Sequence, residues 1–169
     1  MGKYPEEAVA MLAKIAAFTE AHRPPTRLND LEAMLRHTRP ATAAEAIASV
    51  VEHALETVPC AAVFVPTRTG TTARMISRFR PAVWMVALSC DAGVCQGLAF
   101  SYGVHAVQLS EDPDNWRDFA RQWLREHQVP GQTAVLVAGP STRNPDANHR
   151  IEFLRVGGKP GNGRNPVQP

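Results

Sequence analysis

A turn rich in threonine follows an apolar run near the middle of the chain. Residues 63–65 are Val, Phe and Val, which is typical of a buried strand. The hydroxyl-bearing residues after it surround one glycine: Thr67, Thr69, Gly70, Thr71 and Thr72. Threonine hydroxyls donate hydrogen bonds to phosphate oxygens, and glycine lets the backbone approach a ligand closely. A helix starting here would add unpaired N–H groups and the positive end of its dipole.

This turn has two interpretations on its local chemistry. It can bind a phosphate, with Arg68 or Arg74 supplying positive charge. Alternatively, one threonine caps the following helix and the others only occupy a turn. The turn contains neither the lysine of a Walker motif nor a GxGxxG pattern, so the residues alone leave both interpretations open.

The other side chains with reactive groups predict structural roles. Three cysteines without a CxxC pair favour a reducing compartment and inert thiols: Cys60, Cys90 and Cys95. Asp91 is predicted to cap a helix. His53 and His105 have no carboxylate or cysteine at ligand spacing, and His149 is predicted to be a solvated loop residue. No metal, cofactor or catalytic residue is predicted, because no base or nucleophile has an orienting partner in the sequence.

Length, composition and charge predict one soluble domain. The chain has 169 residues, of which 44% are hydrophobic and 20% charged, as in globular proteins. A net charge of +2 does not suggest nucleic-acid or membrane binding. No apolar run approaches the roughly 18 residues of a membrane span, and no signal peptide is evident, so a cytoplasmic location is expected.

The elements that position the turn follow from hydrophobic spacing. An amphipathic helix is predicted over residues 5–22, a short helical piece before Pro40, and a long helix over 42–58 with a Thr42–Glu45 capping box. Alternating elements follow: strand 61–65, helix 70–79, strand 83–88, helix 92–101, strand 104–109, helix 113–127, strand 133–138 and a last edge strand within 150–156. This pattern predicts an α/β/α sandwich of three layers, with a mainly parallel sheet of about five strands and an antiparallel edge strand. Trp116, Phe119 and Trp123 share one helix face and are predicted to be core residues.

The stretch "VFVPTRTGTTARMISRFRP" resembles the C-terminal domain of pyruvate kinases. In that family a strand enters a Thr-x-Ser/Thr-Gly-x-Ser/Thr loop, and the next helix ends in Arg-aromatic-Arg-Pro. Further stretches are similar in the same order: "GKYPEEAVAMLAKIA", "TAAEAIASVVEHALE", "YGVHAVQL", "VPGQTAVLVAG" and "ANHRIEFLRV". The resemblance covers nearly all of the chain to Val156.

The resemblance implies an effector-phosphate site on Thr67, Thr69, Gly70, Thr71 and Thr72. It also implies a second effector loop, to which Ser141, Thr142 and Arg143 belong. Family members activated by a sugar bisphosphate carry Trp-Arg after the glycine of that loop, whereas Pro140 follows Gly139 here. This difference argues against fructose 1,6-bisphosphate, and a sugar monophosphate or nucleoside monophosphate is expected equally.

The resemblance also implies a division of the chain and a choice of functions. Residues 1–40 correspond to the connection from the catalytic barrel, 41–156 to the α/β domain, and 157–169 to a disordered tail. The family catalyses on a barrel of about 250 residues that has no counterpart here. The expected function is a non-catalytic module that binds a phosphorylated metabolite, alone or on a partner enzyme. The alternatives are an oligomerisation or interaction module without ligand, since the family's tetramers meet through this domain, a fragment of a full pyruvate kinase, or a small phosphate-ester enzyme.

Overall fold

The computed structural model describes residues 3–22, 42–139 and 148–157. Its helices are α1 (Pro5–His22), α2 (Ala43–Thr57), α3 (Thr71–Ser77), α4 (Ala92–Leu98) and α5 (Trp116–Glu126). Its strands are β1 (Ala62–Pro66), β2 (Trp84–Ser89), β3 (Val104–Gln108), β4 (Thr133–Ala138) and β5 (Arg150–Arg155). The short helix predicted before Pro40 and the tail from residue 158 lie outside the described residues.

The strands form one sheet in the order β3-β2-β1-β4-β5. The pairs β3–β2, β2–β1 and β1–β4 are parallel, and β5 runs antiparallel to β4. In the centre, Val63 pairs with Met85 on one side and with Val135 on the other. The predicted fold class, a mainly parallel five-stranded sheet with an antiparallel edge strand, is confirmed.

Helices cover both faces of the sheet. Since side chains alternate between the faces along each strand, each central strand contributes to both core layers. Phe64 points to the face covered by α5, where it meets Trp123 and Phe119 edge to face at 5.7 and 6.3 Å. Val63 and Val65 point to the other face and pack with buried residues of α2, α3 and α4. The prediction that Trp123 and its neighbours on α5 belong to the core is confirmed.

Side-chain caps set where several helices begin. Thr42 and Glu45 form the predicted capping box on α2, and the Asp91 carboxylate accepts from the Gly93 and Val94 amides at the start of α4. Helix α5 begins at Trp116 rather than at residue 113, because the Asn115 side chain accepts from the amides of Arg117 and Asp118. Helix α4 ends at Leu98, before the turn that leads to Gly103 at φ +66°.

Helix α1 has the predicted bounds but buries none of its residues. Its large apolar side chains are mostly exposed, with Phe18 at 65%. Among the described helices, none combines the length and apolar character needed to cross a membrane.

Candidate functional site

The threonine turn lies at the carboxyl end of β1 and is bound to the neighbouring strand. The Thr67 amide donates to the Leu88 carbonyl of β2 at 2.8 Å, which continues the sheet ladder by one residue. The Thr67 hydroxyl oxygen accepts from the Gly70 amide at 2.9 Å and closes the turn. The Thr67 hydroxyl oxygen therefore already accepts one hydrogen bond within the turn, but its proton can still be donated to a ligand.

Gly70 precedes the first residue of α3 in the left-handed region, at φ +76° and ψ 0°. A Cβ added there would lie 2.9 Å from Arg74 Nη1 and 3.2 Å from Leu98 Cδ2. Both the backbone conformation and the space thus favour glycine at this position.

Several donors lie at the amino end of α3. The first hydrogen bond of the helix runs from the Arg74 amide to the Gly70 carbonyl, so the amides of Thr71 and Thr72 have no acceptor within the helix. The hydroxyls of Thr69 and Thr71 are 3.0 Å apart on the exposed side. Arg74 Nη2 donates to the Thr69 carbonyl at 2.6 Å, which places a positive charge beside the turn. The structure therefore brings the five predicted residues 67 and 69–72 together in one turn with an arginine.

A cleft of about 520 Å³ adjoins this turn above the carboxyl ends of β1, β2 and β3. Thr67 and Arg68 of the turn line it. Residues at or just after the ends of β2 and β3 complete its polar wall: Ser89, Asp91, Gln108 and Asp112. The cleft combines side chains from three strands that are far apart in sequence, and the sequence pattern had not predicted it.

Residues 140–147 lie outside the described part of the chain, so the structure does not test the predicted contacts of Ser141, Thr142 and Arg143. The two ends of that loop are described. A Cβ on Gly139 would lie 2.6 Å from Nδ1 of His149, so these residues are in close contact. The loop leaves β4, which pairs with β1, and both strands end at the same edge of the sheet.

All three cysteines are free. Burial raises the pKa of the Cys60 thiol, and burial also raises that of Cys95. Across the described ranges, no three or more His, Cys, Asp or Glu side chains form a group that could hold a metal ion.

The sequence did not predict a cluster of aromatic rings between β3 and α5. His105 of β3 and His127, directly after α5, have ring centres 5.7 Å apart, and both rings contact Trp123. Trp84 meets His105 at 6.4 Å. The two histidines are 22 residues apart in the sequence, one on a strand and the other directly after a helix, so no rule based on sequence spacing would pair them.

Comparison with known proteins settles the relationship. The family model described as "Pyruvate kinase, alpha/beta domain" matches residues 45–151. The chain belongs to this pyruvate kinase family. A pyruvate kinase of Thermococcus litoralis is 42% identical over 113 residues, which are 66% of this chain and 24% of that protein. Pyruvate kinase 2 of Synechocystis is 32% identical over 147 residues, covering 82% of this chain and 23% of its own length.

A solved structure supports the same pyruvate kinase fold. A Cryptosporidium parvum pyruvate kinase superposes with a TM-score of 0.72 over 92% of this chain and 31% of its own, at 22% identity. The chain spans about a quarter of the length of these two curated relatives.

Proposed function

We propose that this pyruvate kinase α/β domain is a non-catalytic regulatory module that binds a phosphorylated small metabolite at the turn of residues 67–72. The observation that carries the proposal is the arrangement around Gly70. Two helix-terminal amides and the exposed hydroxyls of Thr69 and Thr71 belong to this turn, and the Arg74 guanidinium reaches it from α3. Such donors suit a dianionic phosphate.

The adjoining cleft supports a sugar monophosphate as the ligand class. Its volume of about 520 Å³ suits a small metabolite. The carboxylates of Asp91 and Asp112 and the amide of Gln108 offer acceptors for sugar hydroxyls. Among the described residues, those that line the cleft include no aromatic side chain on which a base could stack. Within the described part of the chain, a second phosphate would meet two carboxylates and one lining cation, Arg68.

Titrating the purified chain with ribose 5-phosphate, AMP, fructose 1,6-bisphosphate and inorganic phosphate tests the proposal. Isothermal calorimetry and melting temperature report binding, since a ligand of the native state raises the melting temperature. We expect ribose 5-phosphate to bind more tightly than the other three. Replacing Thr69 and Thr72 by alanine removes two hydroxyl donors worth about 1.5–3 kcal/mol each, so affinity should fall by about a hundredfold or more.

Thr57→Ala is the matched control, because the Thr57 hydroxyl donates only to carbonyls of its own helix at the far end of α2. It should leave affinity unchanged. Absence of binding by every probe at millimolar concentration, or equal affinity of the Thr69/Thr72 variant and the wild type, would contradict a phosphate site at this turn.

A second candidate function is favoured by α1. A helix with no buried residue and with exposed Leu12, Ile15 and Phe18 supports a role as an interaction module, in a homo-oligomer or on an enzyme. If the chain is part of a longer pyruvate kinase, that surface contacts the remainder, and the activity is the transfer of a phosphoryl group from phosphoenolpyruvate to ADP. Light scattering of the wild type and of Leu12→Glu/Ile15→Glu distinguishes the roles. Loss of an oligomer in the variant, together with no phosphate binding in the wild type, supports this second function.

Both candidates are proposed for the cytoplasm. The three free cysteines fit its reducing conditions.

A further inference from the structure

Two histidine side chains lie close together between β3 and α5. His105 lies on the edge strand, where it pairs with Val86, and His127 caps the carboxyl end of α5. Both side chains are exposed, and their ring centres are 5.7 Å apart with planes inclined by 66°. Neither residue lines the cleft beside the threonine turn.

Hydrogen bonding fixes the tautomer of His127. Its Nδ1 lies 2.9 Å from the Trp123 carbonyl oxygen, which can only accept. Nδ1 must therefore carry the proton, which leaves the lone pair on Nε2. A metal-binding histidine typically donates its other ring N–H to a carbonyl or carboxylate in this way.

Packing also restricts the orientation of this ring. The His127 imidazole stacks on the Trp123 indole with centres 4.0 Å apart and planes within 14°. Trp123 is itself buried and held by Phe64. The ring therefore loses little conformational freedom when a metal binds, which lowers the entropic cost of binding.

The distance between the rings fits two imidazoles on one ion. A zinc–nitrogen bond of about 2.1 Å places the metal about 3.2 Å from each ring centre. Centres 5.7 Å apart then subtend an angle of about 120° at the metal, close to tetrahedral. We propose that His105 and His127 bind one divalent transition-metal ion, with water in the remaining coordination positions.

The ligand set indicates the class of metal. Two neutral imidazoles suit Zn²⁺, Ni²⁺ and Cu²⁺ rather than Mg²⁺ or Ca²⁺, which prefer oxygen ligands. Such an ion would connect an edge strand to the end of the helix that covers its sheet face. Binding should therefore stabilise this corner of the fold without involving the threonine turn.

Zinc titration of the full chain, without an affinity tag and after treatment with a chelator, tests the proposal. Calorimetry should show one bound Zn²⁺ per chain, and both His105→Gln and His127→Gln should weaken it by at least about tenfold. His53→Gln removes an exposed histidine of α2, and Cys90→Ser removes an exposed thiol; both should retain wild-type zinc affinity. Circular dichroism confirms that each variant is folded.

A measurement on the wild type alone covers the case of a variant that fails to fold. Substoichiometric Zn²⁺ should shift the imidazole proton resonances of two histidines together, and the one that stacks on an indole should show contacts to Trp123. Zinc binding that survives in both histidine variants, that disappears in Cys90→Ser, or that shifts no pair of imidazole resonances would overturn the proposal.

Discussion

Glu52 carries a prediction about the pH dependence of stability. It lies on α2 with only 8% of its surface exposed, and its Oε2 atom has no hydrogen-bond partner in the described structure. Burial, and secondly repulsion by Glu56, raise the pKa of Glu52 from 4.5 to about 7. The folded state therefore holds this proton more tightly than the unfolded state does.

The sign and size of the effect follow from proton linkage. Below about pH 4.5 the carboxyl group is protonated in both states, so its pKa change does not affect the free energy of unfolding. As the pH rises towards 7, the unfolded state gains stability by ionising first, so the free energy of unfolding falls. The pKa change sets an upper limit of about 3 kcal/mol on the stability lost when Glu52 ionises. Partial solvent screening of the carboxylate reduces the loss that we expect to about 1–2 kcal/mol.

Glu52→Gln removes the titrating group and nearly keeps the volume. Urea unfolding followed by circular dichroism at pH 4.5 and pH 8.5 measures the effect as the difference between variant and wild type. We expect nearly equal stability at pH 4.5 and a variant more stable by about 1–2 kcal/mol at pH 8.5. Glu20→Gln on the exposed helix α1 is the control and should show no such difference. A variant that is equally or less stable at pH 8.5 would refute the reasoning.

Two further predictions concern turns at the carboxyl edge of the sheet. Gly70→Ala should destabilise the fold by about 1–2 kcal/mol, because alanine at φ +76° is strained and its Cβ would press on Arg74; thermal unfolding measures this, and an unchanged melting temperature would contradict it. Asp91→Ala should cost about 1 kcal/mol by removing the cap of α4, and Asp91→Asn should recover most of it; equal losses in both variants would point to the charge rather than the cap.

Local sequence signals predicted the elements of the fold well. Pro5 and the apolar spacing gave α1 its observed bounds, and the alternation after Cys60 placed each strand within one residue. Helix ends were harder, since α5 begins three residues later than predicted where Asn115 caps it. The turn at residues 67–72 was identified because its residues are contiguous and resemble a family motif.

Features that join distant residues could not be derived in this way. The wall of the cleft comes from residues at and just after the ends of β1, β2 and β3, and the histidine pair joins β3 to the end of α5. Each depends on the order and register of the strands, which hydrophobic periodicity does not determine. The phosphate site, the ligand and the second loop at Ser141–Arg143 stay predictions.

The central position of β1 has a consequence for how the chain folds. Its partner β2 follows after a single helix, but its other partner, β4, pairs with it about 70 residues later, at Val63 and Val135. Closing so long a loop costs entropy, so the β1–β2–β3 unit can assemble while one side of β1 still lacks its neighbour. Until β4 arrives, an apolar strand presents an open edge to other chains, and such an edge is prone to aggregate. We therefore expect a chain truncated before residue 133 to aggregate rather than to persist as a smaller domain.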